Sequence, residues 1–145
     1  MRILVTCMVL VLLSANVRSQ PEAVSERYRK FINQHINADM SINKCDKEIN
    51  KLKITKTGSN ECKETNTFIL ATTNLVKSVC KDAGEPYNNL MKSTKPFSII
   101  VCKLKGGQRR PHCQYRGQSR TRRIAIACED GFPVHFDRDI VHFEN

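Results

Sequence analysis

The sequence predicts an α+β domain in which three helices precede an antiparallel sheet and three disulfides tie the whole together. Three observations carry this expectation. Apolar residues recur at helical spacing in the first half of the chain. After Pro96 they become β-branched and partly alternating, with no strand–helix–strand repetition. Six cysteines remain once the N-terminal segment is set aside as a leader.

Length and composition bound the rest. A chain of 145 residues makes one domain of ordinary size. With 40% hydrophobic residues it is not a wholly disordered polymer. No apolar run approaches the roughly 20 residues a helix needs to cross a bilayer, which argues against an integral membrane protein. Trp is absent and six Phe with three Tyr are the only aromatics, so a wide platform for stacking many bases is not expected.

The N-terminus reads as a secretory signal peptide. Arg2 precedes an apolar stretch from Ile3 to Leu13, too short to span and followed by small and polar residues. Cleavage after Ser19, with Val17 and Ser19 at the small-residue positions, divides the chain into a signal peptide (1–19) and one domain (20–145). Cys7 would leave with the signal. Cys45, Cys62, Cys80, Cys102, Cys113 and Cys128 stay, an even six in an exported chain, which implies three disulfides. Their spacing contains no zinc-type Cys/His pairing, so neither a metal nor another cofactor is expected. The formal charge of +10 becomes +8 when Arg2 and Arg18 are lost.

The elements follow in order. Ser25 is the expected N-cap of a first helix, with Glu26 in its first turn. Val24, Tyr28, Phe31 and His35 share one face, with the histidine at its end. Ile42, Cys45, Ile49 and Leu52 suggest a short second helix, ended by the loop Lys56-Thr57-Gly58-Ser59-Asn60. Asn66 to Ala71 reads as a strand. Thr73 to Lys81 reads as a third helix, with Leu75, Val76, Val79 and Cys80 inward and Gly84 and Pro86 breaking it. Phe97 to Cys102, Arg122 to Cys128 and Val134 to Val141 read as strands, with Gly106-Gly107 and Asp130-Gly131 as turns.

Charge is unevenly spread. Between Lys103 and Arg123 stand eight cations and no acid: Lys103, Lys105, Arg109, Arg110, Arg116, Arg120, Arg122 and Arg123. Such a run suits a polyanion and a salt-sensitive affinity. Nucleic acid, heparan-type glycans and anionic bacterial surfaces all fit, and charge alone does not choose among them.

Three separated stretches carry chemistry: Lys30-Phe31-Ile32-Asn33-Gln34-His35-Ile36, Cys62-Lys63-Glu64-Thr65-Asn66-Thr67-Phe68, and Pro133-Val134-His135-Phe136-Asp137. In a regular strand His135 and Asp137 would share a face, letting the carboxylate fix the imidazole tautomer. Two imidazoles and an ammonium suit phosphodiester cleavage without a metal. One imidazole removes a proton from the attacking hydroxyl, the other protonates the departing oxygen, and the ammonium stabilises the extra negative charge between them. Taken singly, each has a plainer reading as a structural histidine or a surface lysine. His112 reads as a loop residue and His142 as a tail residue, while Tyr28, Phe31, Met40 and Met91 read as packing.

These stretches, with the order of the six cysteines, closely resemble the pancreatic-type ribonuclease A superfamily. Its CKxxNTF signature stands in full as CKETNTF, Cys62 to Phe68. The run Cys102-Lys103-Leu104 through Gly106-Gly107, then Cys113-Gln114-Tyr115-Arg116 and Pro133-Val134-His135, resembles the angiogenin-like members, as does the lack of a fourth disulfide. The resemblance implies a ribonuclease A-like α+β fold with a curved antiparallel sheet and the bridges Cys45–Cys102, Cys62–Cys113 and Cys80–Cys128.

It also implies roles. His35 would be the general base of transphosphorylation, His135 the general acid and Lys63 the transition-state stabiliser. Gln34 would touch the scissile phosphate, and Lys30 would bind a neighbouring one. Asn66 belongs to the substrate-binding set; Thr67 would read the pyrimidine, Phe136 pack on the base and Asp137 orient His135. The substrate would be single-stranded RNA, including tRNA, and the protein a secreted monomer with angiogenic and antibacterial activity. Two departures bear on this. Arg138-Asp139-Ile140 carries Arg where angiogenin-like members carry Gln in the segment that obstructs the pyrimidine pocket. Asn50-Lys51-Leu52-Lys53 replaces an arginine triplet linked to nuclear entry, and is a weaker basic signal. The alternative from another class is a cationic host-defence or growth-signalling protein that acts through a membrane or a cell-surface receptor without catalysis.

Overall fold

The computed structural model describes residues 23–142, so the expected signal peptide, 1–19, lies outside the described residues. The first helix, α1, occupies 23–35. Ser25 therefore lies inside the helix and is not its N-cap. The early turns are held from outside: Tyr28 packs on Phe132 with ring centroids 4.9 Å apart, and Arg27 pairs with Glu129. Tertiary contact, which a local capping signal cannot register, carries the helix past the serine.

A 3-10 turn, Ile42–Lys44, leads into α2, Cys45–Lys51. Cys45 and Ile49, four apart, are buried as the spacing predicts. Ile42 is not: it is 48% exposed. The turn lies with its backbone against Gly117, where a Cβ would fall 2.3 Å from the Ile42 carbonyl oxygen, and this leaves the isoleucine side chain outside. The third helix, α3, is Thr73–Lys77, capped by the Thr72 hydroxyl on the Leu75 N–H and continued by a 3-10 turn, Ser78–Cys80. Val76 and Val79 are fully buried, whereas Leu75 is 56% exposed, against expectation. An inward stripe through positions three apart leaves the preceding residue about 100° off the core.

The strands are β1 (Thr65–Ile69), β2 (Gly84–Tyr87), β3 (Leu90–Ser93), β4 (Phe97–Gly106), β5 (Gln114–Glu129) and β6 (Phe132–Val141). They form one antiparallel sheet in the order β1-β4-β5-β3-β2, with β6 also on β5. Gly84 and Pro86, expected only as helix breakers, form the edge strand β2, where a proline is tolerated. A two-residue turn at Asn88-Asn89, with Asn88 at φ 55°, makes the β2–β3 hairpin. At the β5–β6 turn Asp130 and Gly131 both take positive φ, 52° and 82°, which matches the right-handed twist of the flanking strands. β5 is longer than the expected Arg122–Cys128 because its first half pairs with β4 and carries polar residues on its exposed positions.

β4 is buried on both faces. Ile99 and Val101 enter one core with Phe31, Ile69, Val76, Val79, Ile124 and Ile126. Ile100 and Cys102 enter the other, with Met40, Cys45, Ile49, Ile54 and Phe68. This explains why the run from Ile99 to Cys102 reads as continuously apolar. The bridges are Cys45–Cys102, Cys62–Cys113 and Cys80–Cys128, closing separations of 57, 51 and 48 residues.

The basic run is partly compensated in three dimensions. Arg120 and Arg122 share Asp139, at 3.3 and 3.7 Å, and Arg123 approaches Glu85 at 3.8 Å. Lys103, Lys105, Arg109, Arg110 and Arg116 make no ion pair among the described residues.

Fully buried Phe68 and half-exposed Leu75 should respond very differently to truncation. Phe68→Ala is expected to cost about 3–5 kcal/mol in urea unfolding. Leu75→Ala is expected to stay within about 0.5 kcal/mol. Equal losses would return Leu75 to the core.

Candidate active site

Among the described strands β1 lies at the edge, beside β4, so its outward carbonyls are available to the end of α1, and Ile69 bridges Ile36 there. The Thr67 carbonyl oxygen lies 2.8 Å from His35 Nδ1, and the Ile69 carbonyl accepts from the Asn37 N–H at 3.0 Å. A carbonyl only accepts, so Nδ1 carries the proton and Nε2 keeps its lone pair. His35 is buried between aromatic rings, with Phe31 at 5.3 Å and Phe136 stacked at 5.3 Å and 26°. Burial pulls its pKa from the usual 6.5 to about 3; the Thr67 hydrogen bond opposes this, and the nearby positive charges of Lys63 and His135 add to it. His35 is thus held neutral, in one tautomer.

Lys63 sits between a disulfide at Cys62–Cys113 and the start of β1. Its ammonium donates to Asn66 Oδ1 at 2.9 Å, and Asn66 Nδ2 donates to the Gln34 carbonyl at 2.8 Å. Asn66 is only 1% exposed, with both ends of its amide engaged by protein. It stands behind Lys63 as a positioning residue and does not line the cleft. The Tyr115 hydroxyl donates to the Lys63 carbonyl at 2.7 Å, and Asp46 accepts from the Tyr115 N–H at 2.6 Å. Burial, then the charge of Lys30, lowers the Lys63 pKa.

His135 reaches the same cleft from β6. Two register shifts flank it: Ala127 pairs with His135 but Cys128 with Pro133, and Ile126 pairs with Phe136 but Ala125 with Arg138. Val134 and Asp137 are therefore the extra residues of two bulges. Bulges re-aim side chains and interrupt the two-residue alternation, so strand periodicity no longer fixes the relative direction of His135 and Asp137, both of which line one cleft. Asp137 Oδ2 accepts from Arg138 Nε at 2.6 Å.

A cleft of about 710 Å³ brings these groups together. Lys30, Gln34, His35, Lys63, Thr67, His135, Phe136 and Asp137 all line it. So do residues outside the three motifs: Arg27, which sequence reading did not single out, Arg120 of the basic run, and Arg138 and Asp139 of the segment after His135. Six cations and two carboxylates make the lining positive, which favours a phosphate chain. Arg27 lies just before the first motif and Arg120 within the basic run, outside all three motifs, and the fold brings both to the cleft. His112 lies in a turn, and His142 contacts Arg123, with Nε to Nδ1 at 3.3 Å.

An α+β frame with three disulfides and a cationic cleft is that of the small disulfide-bonded nucleases. The chain belongs to the pancreatic ribonuclease family, which it matches over residues 26–137, and it is a ribonuclease. It is 37% identical to Ribonuclease-like 3 of Danio rerio over 143 residues, covering 94% of this chain and 95% of that one. It is 43% identical to Angiogenin of Sus scrofa over 120 residues, covering 80% and 79%. Among solved structures it is similar to zebrafish RNase5, with a TM-score of 0.79 and 55% identity over 81% of this chain and 97% of that one.

The pKa shift of His35 has a sign that can be checked. An unfolded histidine takes up a proton near pH 6.5, while the folded group resists until about pH 3. The unfolded state then binds more protons, so His35 removes stability as pH falls from about 6.5. An NMR titration should show the His35 ring unprotonated well below pH 6.5. A midpoint at 6.5 or above would contradict the burial argument.

Proposed function

We propose that the protein is a secreted endoribonuclease that cleaves single-stranded RNA on the 3′ side of pyrimidines. His35 Nε2 takes the proton of the ribose 2′-hydroxyl. The 2′-oxygen bonds to phosphorus, the bond from phosphorus to the 5′-oxygen breaks, and His135 gives that oxygen a proton. The product is a 2′,3′-cyclic phosphate, which water opens with the two histidines exchanging roles. Lys63 stabilises the charge that builds on the phosphoryl oxygens. Gln34 contacts the scissile phosphate and Lys30 the next one.

The observation that carries this reading is the His35–Thr67 contact. It leaves a lone pair on Nε2 and sets the base beside Thr67, the residue that would read the pyrimidine through its hydroxyl and amide. Phe136, stacked on His35, would face the base ring. Export is supported by three disulfides and by the family. Angiogenic activity is supported by relatives named Angiogenin; antibacterial activity is supported by the cationic surface.

A second reading, a catalysis-independent action on anionic surfaces, is favoured by Lys103 standing directly opposite Arg116 across β4 and β5. Like charges so placed repel each other and gain from an anion between them. A His135→Ala protein assayed for bacterial killing and endothelial tube formation separates the two, since full retention supports binding and complete loss supports catalysis.

For catalysis itself, His135→Ala and Lys63→Ala should each lower kcat/KM on a UpA-type substrate by about 10²–10⁴-fold. Unchanged cleavage by either variant would sink the assignment.

A further inference from the structure

One helix supplies a row of polar groups to the cleft. Arg27, Lys30, Phe31, Gln34 and His35 of α1 all line it, and their three- and four-residue spacings put them on one face. Arg29 does not line it; two residues from Arg27, it lies about 160° round the helix. α1 runs from the β5–β6 turn to β1. Its early turns meet the turn, where Arg27 pairs with Glu129 and Tyr28 packs on Phe132, and its last turn meets β1 through His35 and Thr67. Gln34, Lys30 and Arg27 are thus successive steps away from Thr67, about 6 Å and then about 4.5 Å along the helix axis.

With the pyrimidine at Thr67, on the 5′ side of the bond that is cut, the leaving strand runs away from β1 toward the start of α1. Gln34 at the scissile phosphate and Lys30 at the next then put a third phosphate within reach of Arg27. The Arg27 guanidinium has donors to spare. Its one polar partner among the described residues is Glu129, and both side chains are about half exposed, at 51% and 46%. An exposed pair of this kind is weak and screened by salt, so it orients the guanidinium and yields readily to an anion. The aromatic ring at this end is already engaged. Phe132 has the Tyr28 ring at 4.9 Å and the Lys77 ammonium 4.6 Å from its centroid. Contact here is therefore by charge, which suits a phosphate rather than a stacked base.

We propose that Arg27 binds an RNA phosphate one step beyond Lys30, so that the cleft grips three consecutive phosphates and favours substrates with three nucleosides beyond the cut. The proposal rests on the reading that sets the scissile phosphate at Gln34 and Lys63.

The test is a substrate ladder, UpA, UpApA and UpApApA, cleaved by wild type, Arg27→Gln and Arg29→Gln at low salt. In wild type kcat/KM should rise with each added phosphate. The last gain, from UpApA to UpApApA, should be about two- to fivefold smaller in Arg27→Gln, carried by KM, as for one exposed charge contact. For UpApApA the slope of log KM against log salt should fall by about 0.7, the share of one phosphate on a single strand. Arg29→Gln removes the same charge from the other side of the helix and should keep the wild-type gain. An equal last gain in wild type and Arg27→Gln overturns the proposal. So does an equal loss in Arg29→Gln, because net charge would then be the cause. A loss already present at UpApA also overturns it, because Arg27 would then serve the Lys30 phosphate. If wild type cleaves none of the three, it is the ribonuclease reading that fails. Binding of the same ladder without the uridine 2′-hydroxyl, which cannot be cut, then decides: a last-step difference between wild type and Arg27→Gln upholds the third phosphate contact, and none overturns it.

Discussion

A hydrogen bond from His35 Nδ1 to the Thr67 carbonyl joins the last turn of α1 to the outer edge of β1. Much of the site depends on it. An edge strand presents unpaired carbonyls on one side, and these accept from the helix end: Thr67 from the imidazole and Ile69 from the Asn37 amide. The same docking leaves the Gln34 carbonyl to Asn66. One contact thus sets the tautomer of His35, seals its ring from water, and sets it beside Thr67. Desolvation then keeps the imidazole neutral, as a base must be before it accepts a proton.

Lys63 illustrates how covalent and polar constraints combine. A lysine carries a long, flexible stem, and ordering it costs up to about 2 kcal/mol of side-chain entropy. Here the backbone is held by the neighbouring disulfide and by the Tyr115 hydroxyl, and the ammonium by Asn66. The partners lie on separate stretches of the chain, so these have to be assembled before the ammonium is in place. Burial and the charge of Lys30 make that position costly for the ammonium. An incoming phosphate would offset both.

The positive charge of the molecule has two distinct fates. Arg120, Arg122 and Arg123 are engaged by Asp139 and Glu85 on other strands of the sheet, whereas the Lys103–Arg116 end makes no ion pair among the described residues. The acids that balance the arginines lie 17 to 38 residues away in sequence. A charge run read linearly therefore overstates the free charge. On a twisted sheet, electrostatic neighbours are cross-strand neighbours, and register determines them.

The sequence by itself determined the fold class, the disulfide count and the three motifs, because each is written in local chemistry: apolar periodicity, cysteine number, and the run CKETNTF. The β5–β6 turn was legible in Asp130-Gly131, whereas the strands after Pro96 were expected to alternate in part and β4 is buried on both faces. Other features came only with tertiary structure. Leu75 and Ile42 lost their expected burial because short helices and a backbone-to-glycine contact set which face turns inward. The bulges at Val134 and Asp137 were not legible, because a bulge depends on how two strands register, and register is a property of the pair. The burial that neutralises His35 likewise requires Phe31, Phe136 and the β1 edge to arrive together, from stretches more than a hundred residues apart at the extremes.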